Sequence, residues 1–160
     1  MQKFIKEYGT YIILILLVIL VRSFIVTPVR VNGTSMDKTL KEGEILLLYK
    51  IAKIERNDIV VVDENVQGSK IIKRVIGMPG ETIKCEDGII YIDDQKYKDK
   101  YAYGDTSDFD EVKLKKDEYF VLGDNRLVSE DSRYFGPVKE KYIEGETSVV
   151  IFPFNKIGTV

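Results

Sequence analysis

The run Tyr11-Ile12-Ile13-Leu14-Ile15-Leu16-Leu17-Val18-Ile19-Leu20-Val21 carries no charge, and Phe24-Ile25-Val26 resumes it beyond Arg22-Ser23. An unbroken apolar segment near the start of a 160-residue chain must be covered by lipid, removed, or buried in protein. Its 16 positions fall short of the roughly 20 that a spanning helix needs, but Arg22 can snorkel toward headgroups and residues 8–10 extend the near end. A cleaved secretory leader would also place Lys3 and Lys6 before an apolar stretch, yet no small-x-small cleavage site follows it. A buried core helix would need apolar surroundings that so short a chain hardly supplies. The reading is therefore a permanent membrane anchor over 10–26, an N-terminal segment 1–9, and one domain over 27–160. Lys3 and Lys6 suggest a cytoplasmic N-terminus, but Arg22 and Arg30 lie beyond the run and leave orientation open.

From Val29 the pattern changes to short β-type runs: 44–49, 58–62, 70–76, 89–92, 119–122 and 147–152. Asp87-Gly88, Asp93-Asp94 and Pro79-Gly80 read as turns between them. The expected body is a mainly β, antiparallel domain. The polar stretch 94–117, rich in Lys, Asp and Tyr, reads as a surface excursion, with room for a hairpin of its own.

The chain contains no histidine, which excludes a Ser-His-Asp triad, a Cys-His dyad and imidazole-based metal sites. Cys85 is the single cysteine, so no internal disulfide or thiolate cluster forms. Net charge is −2 with both signs interspersed, so no nucleic-acid footprint is present. Any general base must be Lys, Asp, Glu or Tyr.

In Ser69-Lys70-Ile71-Ile72-Lys73-Arg74-Val75-Ile76, a strand would set Ile71, Lys73 and Val75 on one face and Ile72, Arg74 and Ile76 on the other. Desolvation between apolar neighbours disfavours a charged amine. At pH 8 an unperturbed lysine is neutral in roughly 1 molecule in 250, and a shift of about 2 to 3 units makes it a competent base. Taken alone, the segment better describes an edge-strand lysine that repels sheet pairing. Ser35, in Val31-Asn32-Gly33-Thr34-Ser35-Met36, reads by itself as a solvated turn residue, although Asn32-Gly33 permits a turn that presents a hydroxyl and backbone N–H groups.

Three motifs resemble those of bacterial type I signal peptidases, the membrane-anchored Ser-Lys proteases. Ser35-Met36-Asp37-Lys38-Thr39-Leu40 resembles the nucleophile box Ser-Met-x-Pro-Thr-Leu, and Lys73-Arg74-Val75-Ile76-Gly77-Met78-Pro79-Gly80 the general-base box. Residues 123–133, Gly-Asp-Asn-Arg-Leu-Val-Ser-Glu-Asp-Ser-Arg, match the third box. Asn57-Asp58-Ile59-Val60-Val61 stands where the family has Gly-Asp-Ile-Val-Val, a mild change because Asn tolerates the left-handed conformation.

The resemblance implies a barrel-like antiparallel β catalytic domain outside the cytoplasm behind one transmembrane helix. It also implies cleavage of signal peptides from exported precursors, with no cofactor and no metal. Ser35 would be the nucleophile and Lys73 its base. Ser129 would hydrogen-bond Lys73, with Asp131 and Arg133 as a supporting ion pair and Asp124, Asn125 and Arg126 shaping the same loop. Small side chains of an extended substrate would enter shallow pockets near Gly33 and Met36. Gly33 also stands where some members carry a second oxyanion hydroxyl. Lys38 replaces the usual proline, which leaves the chain after the nucleophile freer and adds a charge. Phe152-Pro153-Phe154 and Phe24-Ile25-Val26 would rest on the bilayer or pack in the core. Two other readings compete: a pilus-assembly factor on the same fold, and a soluble self-cleaving Ser-Lys repressor, which would need a DNA-binding domain where this chain has an apolar helix.

Overall fold

The computed structural model describes residues 2–160, with side chains from residue 8 onward, so the expected contribution of Lys3 and Lys6 lies outside the described side chains. Helix α1 spans Gln2–Phe24, about 35 Å at 1.5 Å per residue. Residues 11–20 are all exposed, at 43–67%. Among the described residues no helix is long and apolar enough to cross a membrane.

The chain leaves α1 directly into β1 (Val26–Arg30), so Val26 belongs to a strand rather than to the apolar helix. There follow β2 (Ile45–Tyr49), β3 (Ile59–Val62), a short α2 (Glu64–Gln67) and β4 (Ile71–Gly77). Next come β5 (Thr82–Glu86), β6 (Ile89–Ile92), β7 (Gln95–Lys96), β8 (Phe109–Lys113) and β9 (Glu118–Leu122). The chain ends with α3 (Ser132–Phe135), β10 (Val138–Lys139), β11 (Ile143–Phe152) and β12 (Gly158–Thr159). The larger sheet is ordered β1-β2-β11-β3-β4-β9-β10, with β12 beside β11, and the smaller β7-β6-β5-β8. All of these strand pairs are antiparallel, as expected.

Residues 59–62 and 119–122 are continuously apolar because their strands are buried on both faces. Ile59 and Val61 join Leu46, Leu48, Met36 and Leu40 on one face; Val60, Val62, Val75 and Val121 pack on the other. Phe120, Leu122 and Ile76 meet Ile83, Ile90 and Ile92 of the smaller sheet. Asp87-Gly88 and Asp93-Asp94 adopt positive φ throughout, as two-residue hairpin turns require. The stretch 94–117 does not form a separate hairpin: β8 returns to pair with β5. Cys85 is buried beneath this sheet, and burial with the nearby Asp108 pushes its thiol up to about 11, so it is a poor nucleophile.

Gly145 sits at the bulge where β11 contacts both β2 and β3, with φ +154, and a Cβ there would collide with the Tyr49 carbonyl oxygen. Gly145→Ala is expected to cost about 1–3 kcal/mol of stability, read as a lower denaturation midpoint in urea. An unchanged midpoint would contradict the packing described.

Candidate active site

Strand β4 carries two cations on successive residues, and its pleat sends them to opposite faces. Arg74 is clamped. Its Nε and Nη2 donate to the two carboxylate oxygens of Asp124 at 2.8 and 2.6 Å, and its Nη1 donates to the Asn57 carbonyl at 2.7 Å. Asp124 also accepts from the Thr39 hydroxyl at 2.5 Å. The loop after Ser35 is thereby fastened to the strand that bears Lys73. Asn57 has φ +75, so it takes the left-handed place expected of it.

Lys73 is 3% exposed and pairs with Val60 on β3, with Ile71 and Val75 beside it on its own face. Among the described residues no hydrogen bond or ion pair involves its amine. Burial lowers its pKa to about 8, opposed by Asp131 and assisted by Arg133. Asp131 is already engaged by Arg133 through contacts of 2.8 and 2.9 Å, so a neutral pair, rather than a bare carboxylate, stands near the amine.

The register of β4 with β9 runs as far as Arg74 and Leu122, so Lys73 and Gly123 are the next residues beyond the last pair on each strand's path. The Val121 and Gly123 N–H groups turn away from β4, to Ser132 Oγ and Asp131 Oδ2, both at 3.0 Å. A Cβ on Gly123 would collide with Ser129 Oγ and lie 2.6 Å from the Ser35 carbonyl oxygen. Ser129 and the Ser35 carbonyl therefore meet in the space that Gly123 leaves open, just beyond the strand that pairs with β4. The Ser35 carbonyl accepts from the Asn125 N–H at 2.9 Å, and Asn125 Nδ2 donates to the Thr34 carbonyl at 3.3 Å. Ser35 is partly exposed, and among the described residues no hydrogen bond uses its N–H.

The expected bond from Ser129 to Lys73 is not made: Ser129 Oγ is buried with no hydrogen-bond partner among the described residues. Arg126 donates to the Gly123 carbonyl at 2.9 Å, to Thr106 Oγ1 at 2.6 Å and to Asp99. Gly33 has φ +80 and is exposed, while Met36 is 2% exposed and packs into the core beneath the loop. A groove of about 280 Å³ lies between edge strand β1 and the start of β4, lined by Pro28, Val29, Arg30, Asn32, Lys70 and Ile72 among others. It ends three residues before Ser35 and one before Lys73.

The sequence reading missed a strap formed by residues 97–106. The Tyr97 hydroxyl donates to Asn57 Oδ1, the Tyr101 ring covers the Arg74 guanidinium at 3.6 Å, and the Tyr103 ring covers Lys38 Nζ at 3.4 Å. The available signal was three tyrosines crowded into an otherwise polar segment. Their cationic partners lie far away along the chain, so the contacts were not readable.

Arg74→Met would leave the buried Asp124 carboxylate without its counter-ion and is expected to cost about 3–5 kcal/mol, measured by urea denaturation. A loss below about 1 kcal/mol would mean that the pair is not the fastening point.

The family model for signal peptidase, peptidase S26, matches residues 2–152. Signal peptidase I of Bacillus licheniformis is 38% identical over 91% of this chain and 87% of its own length. The Streptococcus pneumoniae (serotype 4) signal peptidase I is 35% identical over 99% of this chain and 98% of its own length. A crystal structure of a signal peptidase I from Enterococcus faecalis, 35% identical, superposes with a TM-score of 0.53 over 60% of this chain and 97% of that one. The three motifs, gathered around one strand end, are thus found in a chain matched almost throughout by its relatives: it belongs to the signal peptidase family and is a serine peptidase.

Proposed function

We propose that the chain is a membrane-bound endopeptidase that removes signal peptides from exported precursors, with Ser35 as nucleophile and Lys73 as general base. The observation that carries this reading is the burial of Lys73, whose amine makes no hydrogen bond or ion pair among the described residues and has its pKa lowered to about 8, on the strand whose Arg74 holds Asp124 next to the glycine that Ser35 packs against. The neutral amine takes the Ser35 proton as Oγ attacks the scissile carbonyl, and the ammonium so formed gives that proton to the departing nitrogen, which leaves an acyl-enzyme, a neutral Lys73 and the mature chain's free amine. Lys73 then activates the water that hydrolyses the ester. The Ser35 N–H, which makes no bond among the described residues, serves as an oxyanion donor. Ser129, buried beside the convergence point without a partner, accepts the Lys73 amine once substrate orders the site. Asp131 and Arg133 keep the local charge balanced, while Asp124, Asn125 and Arg126 hold the loop.

The groove along β1 fits an extended peptide. An edge strand offers free backbone groups for strand addition, and alternate substrate side chains turn inward near Gly33 and the wall backed by Met36. In α1, the ten successive exposed and uncharged residues from Tyr11 to Leu20 support attachment to lipid. Phe24, Phe152 and Phe154, all exposed, support contact of the domain with the same surface. The catalytic domain, over 27–160, then faces the extracytoplasmic side. Retention of both Ser35 and Lys73 favours this reading over a non-catalytic assembly factor.

Ser35→Ala and Lys73→Ala are each expected to abolish maturation of a secreted precursor in cells depleted of their own enzyme, scored by the precursor-to-mature ratio. Mature product from either variant at the parent rate would remove that residue from the mechanism. Because the lysine must be neutral, kcat/KM should fall about tenfold per pH unit below a midpoint near 8. Arg133→Gln removes a cation that lowers the Lys73 pKa and leaves Asp131 to raise it, so the midpoint should move upward. A downward or absent shift in the pH–rate profile contradicts that electrostatic account.

A further inference from the structure

Lys38 occupies the position at which the family motif carries proline, and it is not a loosened version of the same turn. Its φ is +77, whereas a proline ring holds φ near −65°, so the usual residue cannot take this conformation. The Lys38 ammonium lies 3.4 Å from the centre of the Tyr103 ring, well inside cation–π range.

Tyr103 is itself held firmly. Its N–H donates to the Asp124 carbonyl at 2.7 Å and its carbonyl accepts from the Arg126 N–H at 2.9 Å, a parallel bridge across Asn125. At Gly104, with φ +79, a Cβ would press into the Leu127 side chain, so the strap lies flush on the third motif. Asn125 in turn donates to the Ser35 carbonyl. A closed ring results: Ser35 to Asn125, Asn125 to Tyr103, Tyr103 to Lys38, and Lys38 back along the chain to Ser35.

We propose that the Lys38–Tyr103 contact is a positioning clamp that holds the Ser35 loop against the third motif, a side-chain contact standing in for the stiffness that proline supplies in the family motif. The proposal rests on Ser35 being the nucleophile. Neither Lys38 nor Tyr103 touches the reacting atoms; both act through the placement of Ser35, where misplacement on the scale of an ångström costs about 10²-fold in rate.

The test uses the full chain in lipid vesicles with a purified precursor. Lys38→Met and Tyr103→Leu should each lower kcat about three- to fivefold with KM little changed, and the double variant should fall no further. Lys38→Arg and Tyr103→Phe, which preserve cation and ring, should rescue the rate. The midpoint of the pH–rate profile should stay put in Lys38→Met, which separates a clamp from a through-space effect of charge on Lys73. Lys38→Pro, although it restores the motif, should be slower than Lys38→Met. Hydrogen exchange at the amides of residues 36–39 should quicken in both single variants, a readout independent of turnover. Single effects that multiply in the double variant, a shifted pH midpoint, unchanged exchange, or Lys38→Pro at the parent rate would overturn the clamp. Ser35→Ala run alongside separates the two claims: its continued activity rejects the nucleophile assignment, whereas its inactivity beside fully active Lys38→Met and Tyr103→Leu rejects the clamp alone.

Discussion

The buried pair of Arg74 and Asp124 is the contact on which the rest of the site depends. Their side chains retain only 4% and 1% exposure, so each charge has given up nearly all its water. Such desolvation costs several kcal/mol per ion and is offset only where geometry and further hydrogen bonds are good. Here the pairing is bidentate, Asn57 and Thr39 supply added bonds, and the Tyr101 ring covers the guanidinium. A lysine at position 74 would supply no planar fork for this arrangement. Through one ion pair the strand that bears Lys73, the loop after Ser35, the third motif and the tyrosine strap share a common anchor.

One residue away the same strand treats a cation in the opposite manner. Lys73 is buried almost as deeply as Arg74 but faces Val60, Ile71 and Val75 with no counter-ion bonded to it. The carboxylate near enough to hold it charged, Asp131, is engaged by Arg133. The sheet's alternation thus separates a permanently charged structural cation from one whose proton is weakly held. Gly123 completes the arrangement by leaving out the side chain that would collide with Ser129 and the Ser35 carbonyl.

Much of this was legible in the sequence because it is local. The continuous apolar runs of β3 and β9, the alternation around Lys73, the Asp-Gly and Asp-Asp turns, and the tolerance of Asn57 for positive φ follow from periodicity and backbone preference. Strands β1, β5 and β8 were not legible: β1 follows directly on the apolar helix and is itself an edge, and β5 and β8 are half-exposed with charged residues on their outer faces. The strap escaped notice for a different reason. Tyr97, Tyr101 and Tyr103 look like surface aromatics until folding brings Asn57, Arg74 and Lys38 beneath them. Lys38 was read as loosening the nucleophile loop; its positive φ and its seat on Tyr103 show a defined conformation instead. The absence of histidine remained the strongest single constraint, since it left lysine as a leading choice of base before any contact was known.

The central claim is that burial, as the largest influence and with no bonded partner among the described residues, makes Lys73 a base. The most direct measurement is an NMR titration of the Lys73 side-chain amine in isotopically labelled Ser35→Ala protein, where turnover cannot interfere. The account predicts a single titration with its midpoint near 8, well below that of the other lysines. A midpoint in the ordinary lysine range, near 10.4, would contradict it.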